Sequence, residues 1–139
     1  MFLKNNIFKL IISIILIFQI SIKLVKAKDM NAHEVYKICS DYYQWVNRNY
    51  SLPVDEKMLF NMGKCQGMIQ TLGRTMLTLC YENKKNANIN KKLTADLQGI
   101  KTIEIIESFL NVAAKDGKLR AYSANSYLVE FISKQWPCK

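Results

Sequence analysis

Four cysteines, a single histidine and a scatter of lysines and carboxylates are the side chains here with chemistry to offer. Cys39, Cys65, Cys80 and Cys138 include no Cys-x-x-Cys pair of the kind that builds zinc sites. Their even number favours two disulfides if the chain works in an oxidising compartment. His33 stands at the start of the first predicted helix, where a solvated cap residue is expected rather than a base or a ligand. Nucleophilic triads and thiol dyads need a histidine held by packed structure, so no catalytic, cofactor or metal residue is assigned. Gly63, Gly67 and Gly73 fall within a helical pattern with no strand before them, which excludes a phosphate-cradling loop. Asp41, Asp55, Glu56, Glu104, Glu107 and Glu130 lie on predicted solvent faces. A binding protein, not an enzyme, is the reading these residues support.

The compartment is read from the first residues. Met1–Lys9 carries two lysines and no acid, Leu10–Ile22 is apolar but for Ser13, Gln19 and Ser21, and Ala27 supplies a small residue for cleavage. Residues 1–27 are therefore expected to be a cleaved signal peptide, too short to leave a stable membrane anchor, and residues 28–139 one exported domain. Lys4, Lys9, Lys23 and Lys26 leave with the signal, so sixteen basic residues face eleven acidic ones and the formal charge falls from +9 to +5. The remaining bases are interleaved with acids rather than striped beside aromatics, which argues against nucleic acid. A domain of 112 residues, the 139 of the chain less 27, is near the size where one core suffices and cross-links help.

The elements that must position the cysteines are helices. The longest stretch is Pro53–Cys80, where Met58, Met62, Cys65, Ile69, Leu72, Met76 and Leu79 recur at spacings of three and four, with Leu59 widening the face. It is expected to be the rod on which the domain is assembled. Its three glycines each cost roughly 0.5–1 kcal/mol against alanine, which suggests close approach of a neighbouring backbone. Before it, Asn31 and Glu34 have capping-box spacing and Val35, Ile38, Cys39, Tyr42, Trp45 and Val46 form a stripe. The short connection Arg48–Leu52 makes an antiparallel pair of the two helices. Cys39 and Cys65 then stand at comparable heights, ~14 and ~18 Å from the bend.

The polar run Tyr81–Gly99 reads as a long exposed loop. Beyond it Ile103, Ile106, Phe109, Leu110 and Ala113 mark a third helix stopped near Gly117, and Tyr127, Leu128, Phe131 and Ile132 a fourth ended by Pro137. Successive antiparallel helices return Cys138 to Cys80. The fold class expected is an all-α, small four-helix bundle stapled by Cys39–Cys65 and Cys80–Cys138.

Gly63-Lys64-Cys65-Gln66-Gly67-Met68-Ile69, the later Cys80, the Ile103–Leu110 helix, Ala124 with Tyr127-Leu128, and the ending Trp136-Pro137-Cys138 together resemble the Rap1a/Tai family of small exported immunity proteins. The likeness runs from about Cys39 to Cys138. Met68 stands where the family has tyrosine, and Thr71 where it has a second glycine. The resemblance implies a Rap1a/Tai-like helical domain over 28–139 in the periplasm, often a homodimer. It further implies a protein toxin as partner: a peptidoglycan amidase delivered by a type VI secretion system, whose active site the family occludes with a loop. The alternative class is a periplasmic stress or assembly factor that binds envelope proteins without catalysis. No family contact residue transfers, so Lys84, Lys85, Lys91 and Lys92 are nominated on physical grounds, as lysines that would meet an acidic rim and steer association.

Overall fold

The structure, a computed structural model, describes residues 29–51, 53–85 and 88–139. The expected signal peptide therefore lies outside the described residues, as do Leu52 of the first connection and residues 86–87 of the polar run. The described chain forms four helices, α1 (Ala32–Asn47), α2 (Glu56–Lys84), α3 (Thr102–Ala113) and α4 (Ala124–Gln135), with single 3₁₀ turns at Lys91–Leu93 and Leu119–Ala121. Among the described residues no helix is long and apolar enough to cross a membrane.

Local chemistry explains the helix starts. Asn31 and Glu34 close the capping box read from their spacing: Asn31 Oδ1 accepts from Glu34 N at 2.9 Å and Glu34 Oε2 from Asn31 N at 3.0 Å. α2 begins later than its sequence suggested. Pro53 precedes the helix and Asp55 is its cap, accepting from Met58 N at 2.7 Å. Ser123 caps α4 by accepting from Ser126 N. The starts of α1 and α4 are clipped side by side, because Ala32 N donates to the Tyr122 carbonyl and Ala124 N to that of Met30.

The rod expected at Pro53–Cys80 is not the sole organiser. α1 packs against all three other helices and the second 3₁₀ turn, and Val35 and Cys39 on it are fully buried. α2 buries Met62, Cys65, Ile69, Gly73, Met76 and Cys80 and shows water its opposite side. Leu59 lies on that outer side, 49 % exposed, and does not widen the buried face. α3 supplies Ile105, Ile106, Phe109 and Ala113 to the core, and α4 supplies Leu128, Phe131 and Ile132. Both cysteine pairings are as the topology required, with Cα–Cα distances of 5.1 Å for Cys39–Cys65 and 5.7 Å for Cys80–Cys138.

Two glycine expectations fail and one holds in altered form. A Cβ at Gly63 or Gly67 would meet nothing within 4 Å, so no neighbour explains them. At Gly73 a Cβ would lie 3.3 Å from Leu97 Cδ1, a side chain rather than a backbone. Gly63→Ala and Gly67→Ala should therefore each raise the unfolding free energy by about 0.5–1 kcal/mol, while Gly73→Ala gains less because Leu97 must yield. Urea unfolding of the three variants checks the order; a loss of stability at Gly63 or Gly67 would contradict the open space seen there. Gly117 does not end α3 as a left-handed cap either. The helix stops at Ala113, and the Asp116 carboxylate accepts from Lys118 N at 2.8 Å to turn the chain. The left-handed glycine is Gly99, at φ +79°, in the turn that leads into α3.

The polar run departs most from expectation. α2 continues through Tyr81–Lys84, the next turn is 3₁₀, and Thr94, Ala95 and Leu97 are buried. Ala95 N donates to the Met76 carbonyl and Asp96 N to that of Trp136. The segment is thus an inner strap joining α2 to the chain's end, and among the described residues only Lys85 and 88–93 retain the character of an exposed loop. Its backbone donors find carbonyls inside the fold, which is what a buried irregular segment requires.

Candidate binding surface

The four nominated lysines differ in how their charges are met. Lys84 lies in the last turn of α2 with its ammonium 3.0 Å from Asp96 Oδ2, and Lys85 pairs with Glu82 at 3.1 Å. The Lys84 ammonium holds the Asp96 carboxyl below the usual carboxylate range. These two charges are already answered within the chain. Lys91 and Lys92, on the first 3₁₀ turn, make no ion pair among the described residues.

Lys91 and Lys92 stand over a groove of about 700 Å³ between that turn and α4. Leu93, Val129, Pro137 and Cys138 form its apolar lining, and Glu130 and Lys134 its far edge. Leu93 is 47 % exposed. Lys134 Nζ lies 2.6 Å from Glu130 Oε1, one helical turn apart, and that ammonium holds the Glu130 carboxyl below its ordinary range. The Cys80–Cys138 bridge anchors the chain end that makes one wall. Such a groove can seat an apolar side chain flanked by a carboxylate, with two unanswered cations at its mouth. Leu93, Val129, Pro137 and Lys134 were missed as surface residues. The available signal was a leucine directly after two lysines, in a segment otherwise poor in apolar residues.

His33 is not the solvated residue expected of it. Its ring stacks on Tyr36, with centroids 6.4 Å apart and planes 12° apart, and its Nε2 is buried without a hydrogen-bond partner. It lines a small cavity with Arg120 and Asp116. Among the described residues no group of three or more His, Cys, Asp or Glu is placed to hold a metal ion. The aromatic residues of α1 divide: Tyr42 and Tyr43 pack against the core, and Trp45 carries the ring of Tyr50 edge-on at 4.5 Å, with Tyr50 itself 60 % exposed. The carboxylates Asp55, Glu56, Glu104, Glu107 and Glu130 are exposed and Asp41 half-buried, close to expectation.

Fold and surface together define a class: a small all-α domain, stapled by two disulfides, with a basic and partly apolar groove beside one staple. Comparison with family models, with curated proteins and with solved structures found no match.

Proposed function

We propose that this chain is a periplasmic immunity protein of the Rap1a/Tai type, which binds and inhibits a secreted peptidoglycan amidase. The observation that carries the proposal is the groove beneath Lys91 and Lys92, whose walls are tied to α2 and α4 rather than to a free loop. A surface held in place by a disulfide and by strap hydrogen bonds loses little conformational freedom on binding, and preorganisation of that kind raises affinity. Unpaired lysines at its mouth speed encounter with an acidic rim. The polypeptide acts here by covering another protein's catalytic cleft, and no bond is made or broken on it.

The test is to look beside this chain's gene for an exported hydrolase and, with one in hand, to measure its inhibition by the purified full domain in its oxidised form. One-to-one binding that abolishes peptidoglycan cleavage is expected. Replacing Lys91 and Lys92 together with serine should slow association about tenfold at low salt and flatten its salt dependence. The same change at Lys84 and Lys85, which alters the net charge equally but does not touch the groove's lining, should do less. Uninhibited hydrolysis at stoichiometric excess, or weak binding to many envelope proteins in its place, would move the assignment to a stress or assembly factor.

A further inference from the structure

On the other side of the Glu130–Lys134 pair lies a second cleft, of about 350 Å³, between the end of α3 and α4. Its chemistry is opposite to that of the basic groove. Tyr122 and Tyr127 form an aromatic wall, with ring centroids 5.7 Å apart and planes inclined by 46°, and Phe131 closes the base. Val112, 45 % exposed, faces them from α3, and Tyr122 is 42 % exposed. Asp116 and Glu130 stand at the margin. Glu130 is occupied by Lys134. Asp116 accepts a backbone N–H from Lys118, faces the Tyr127 hydroxyl, and has no ion pair among the described residues.

An aromatic cleft whose Asp116 carboxylate has hydrogen-bond donors but no paired cation distinguishes among occupants. A wholly apolar side chain would desolvate the Asp116 carboxylate without replacing the lost water, which is unfavourable. An anion would be repelled. A cation on a short apolar stem meets the ring faces through their negative quadrupole and Asp116 through its charge. Burial and then the Asp116 carboxylate push the Tyr127 phenol up to about 12, so this ring stays neutral beside a bound cation at ordinary pH.

We propose that the cleft bounded by Tyr122, Tyr127 and Asp116 is a binding site for an organic cation, namely the arginine-type side chain of a protein partner. Its position gives it a second consequence. A partner that places an acidic group over Lys91 and Lys92 and a basic one over Asp116 straddles the Glu130–Lys134 ridge in one orientation only. Charge complementarity of this alternating kind sets register and rejects partners of uniform charge. The site stands or falls independently of whether that partner degrades the cell wall.

The probe is N-acetyl-arginine amide, titrated into the oxidised domain while the ring resonances of Tyr122 and Tyr127 are followed by NMR. Saturable shifts in the ~1–50 mM range are expected, the affinity of one cation against aromatic rings at a partly exposed site. N-acetyl-norleucine amide, similar in length and uncharged, should produce no saturable shift. Asp116→Asn keeps an acceptor for the Lys118 N–H and removes the charge, and should weaken the arginine probe about tenfold. Tyr122→Ala, at an exposed position, should weaken it severalfold without loss of fold, as circular dichroism would verify. Equal response to the norleucine probe, no saturation with arginine, or undiminished binding by folded Asp116→Asn would each overturn the assignment.

Discussion

Replacing Cys80 and Cys138 together with alanine is expected to lower the unfolding free energy by about 4 kcal/mol, and the same change at Cys39 and Cys65 by about 3.5 kcal/mol. The order follows from chain length. The first bridge closes 58 residues and the second 26, and the entropy withheld from the unfolded chain grows with the logarithm of that number. In a domain of this size such losses correspond to roughly 15–25 °C in melting temperature. The two variants should also differ in what they loosen. Cys39 and Cys65 are fully buried where α1 crosses α2, so their loss is felt in the core. Cys138 forms a wall of the basic groove, so its loss should weaken partner binding even at temperatures where the fold survives. Urea unfolding of both double variants and the parent, without reductant so that the remaining bridges stay closed, gives the comparison. Stability of Cys80→Ala/Cys138→Ala within about 1 kcal/mol of the parent would show that the strap alone tethers the chain's end.

Phe109→Ala should cost about 3–5 kcal/mol, the range for truncating a fully buried aromatic that leaves an unfilled cavity. Phe109 has no exposed surface. Its ring meets Tyr127 edge-on at 6.1 Å and Phe131 at 5.9 Å, so one substitution removes two aromatic contacts that hold α4 on α3. Phe60→Ala is the matched contrast. That ring is 67 % exposed, with Lys64 Nζ 5.6 Å from its centroid, and its loss should change stability by no more than about 0.5 kcal/mol. Equilibrium denaturation of both variants decides; a cost at Phe109 below about 1.5 kcal/mol would mean that the core re-forms around a different residue.

Much of the helical plan was legible because it is written in local chemistry. The capping box at Asn31, the stripe on α1 and the apolar spacing in α2 each act over a few residues, and each recurs in the folded chain. Helix ends were less legible. Asp55 rather than Pro53 starts α2, since a carboxylate that accepts a backbone N–H defines a cap more strongly than a proline that merely tolerates one. The polar run misled for a related reason. Lysine and asparagine hide a two-residue burial such as Ala95 and Leu97, and the carbonyls that make it tolerable belong to Met76 and Trp136, distant in sequence. His33 was misread because the cavity it lines forms only after α1 has met the segment that follows α3, while the Tyr36 it stacks on stands one turn along the same helix.

From the order of residues alone came the helical class, the four-rod topology and both cysteine pairings, because helix periodicity and rise per residue are properties of short segments and an antiparallel succession of helices leaves few ways to pair four thiols. Folding in three dimensions decided which charges are free. Lys84 pairs with Asp96 of the strap, whereas Lys85 pairs locally with Glu82 at the end of α2, and Lys91 and Lys92 stay without an ion pair among the described residues, beside a groove whose opposite wall lies some forty residues further along the chain. Electrostatic and apolar surfaces depend on distances of a few ångströms between segments remote in sequence, and those distances exist only once the core and its two bridges have closed.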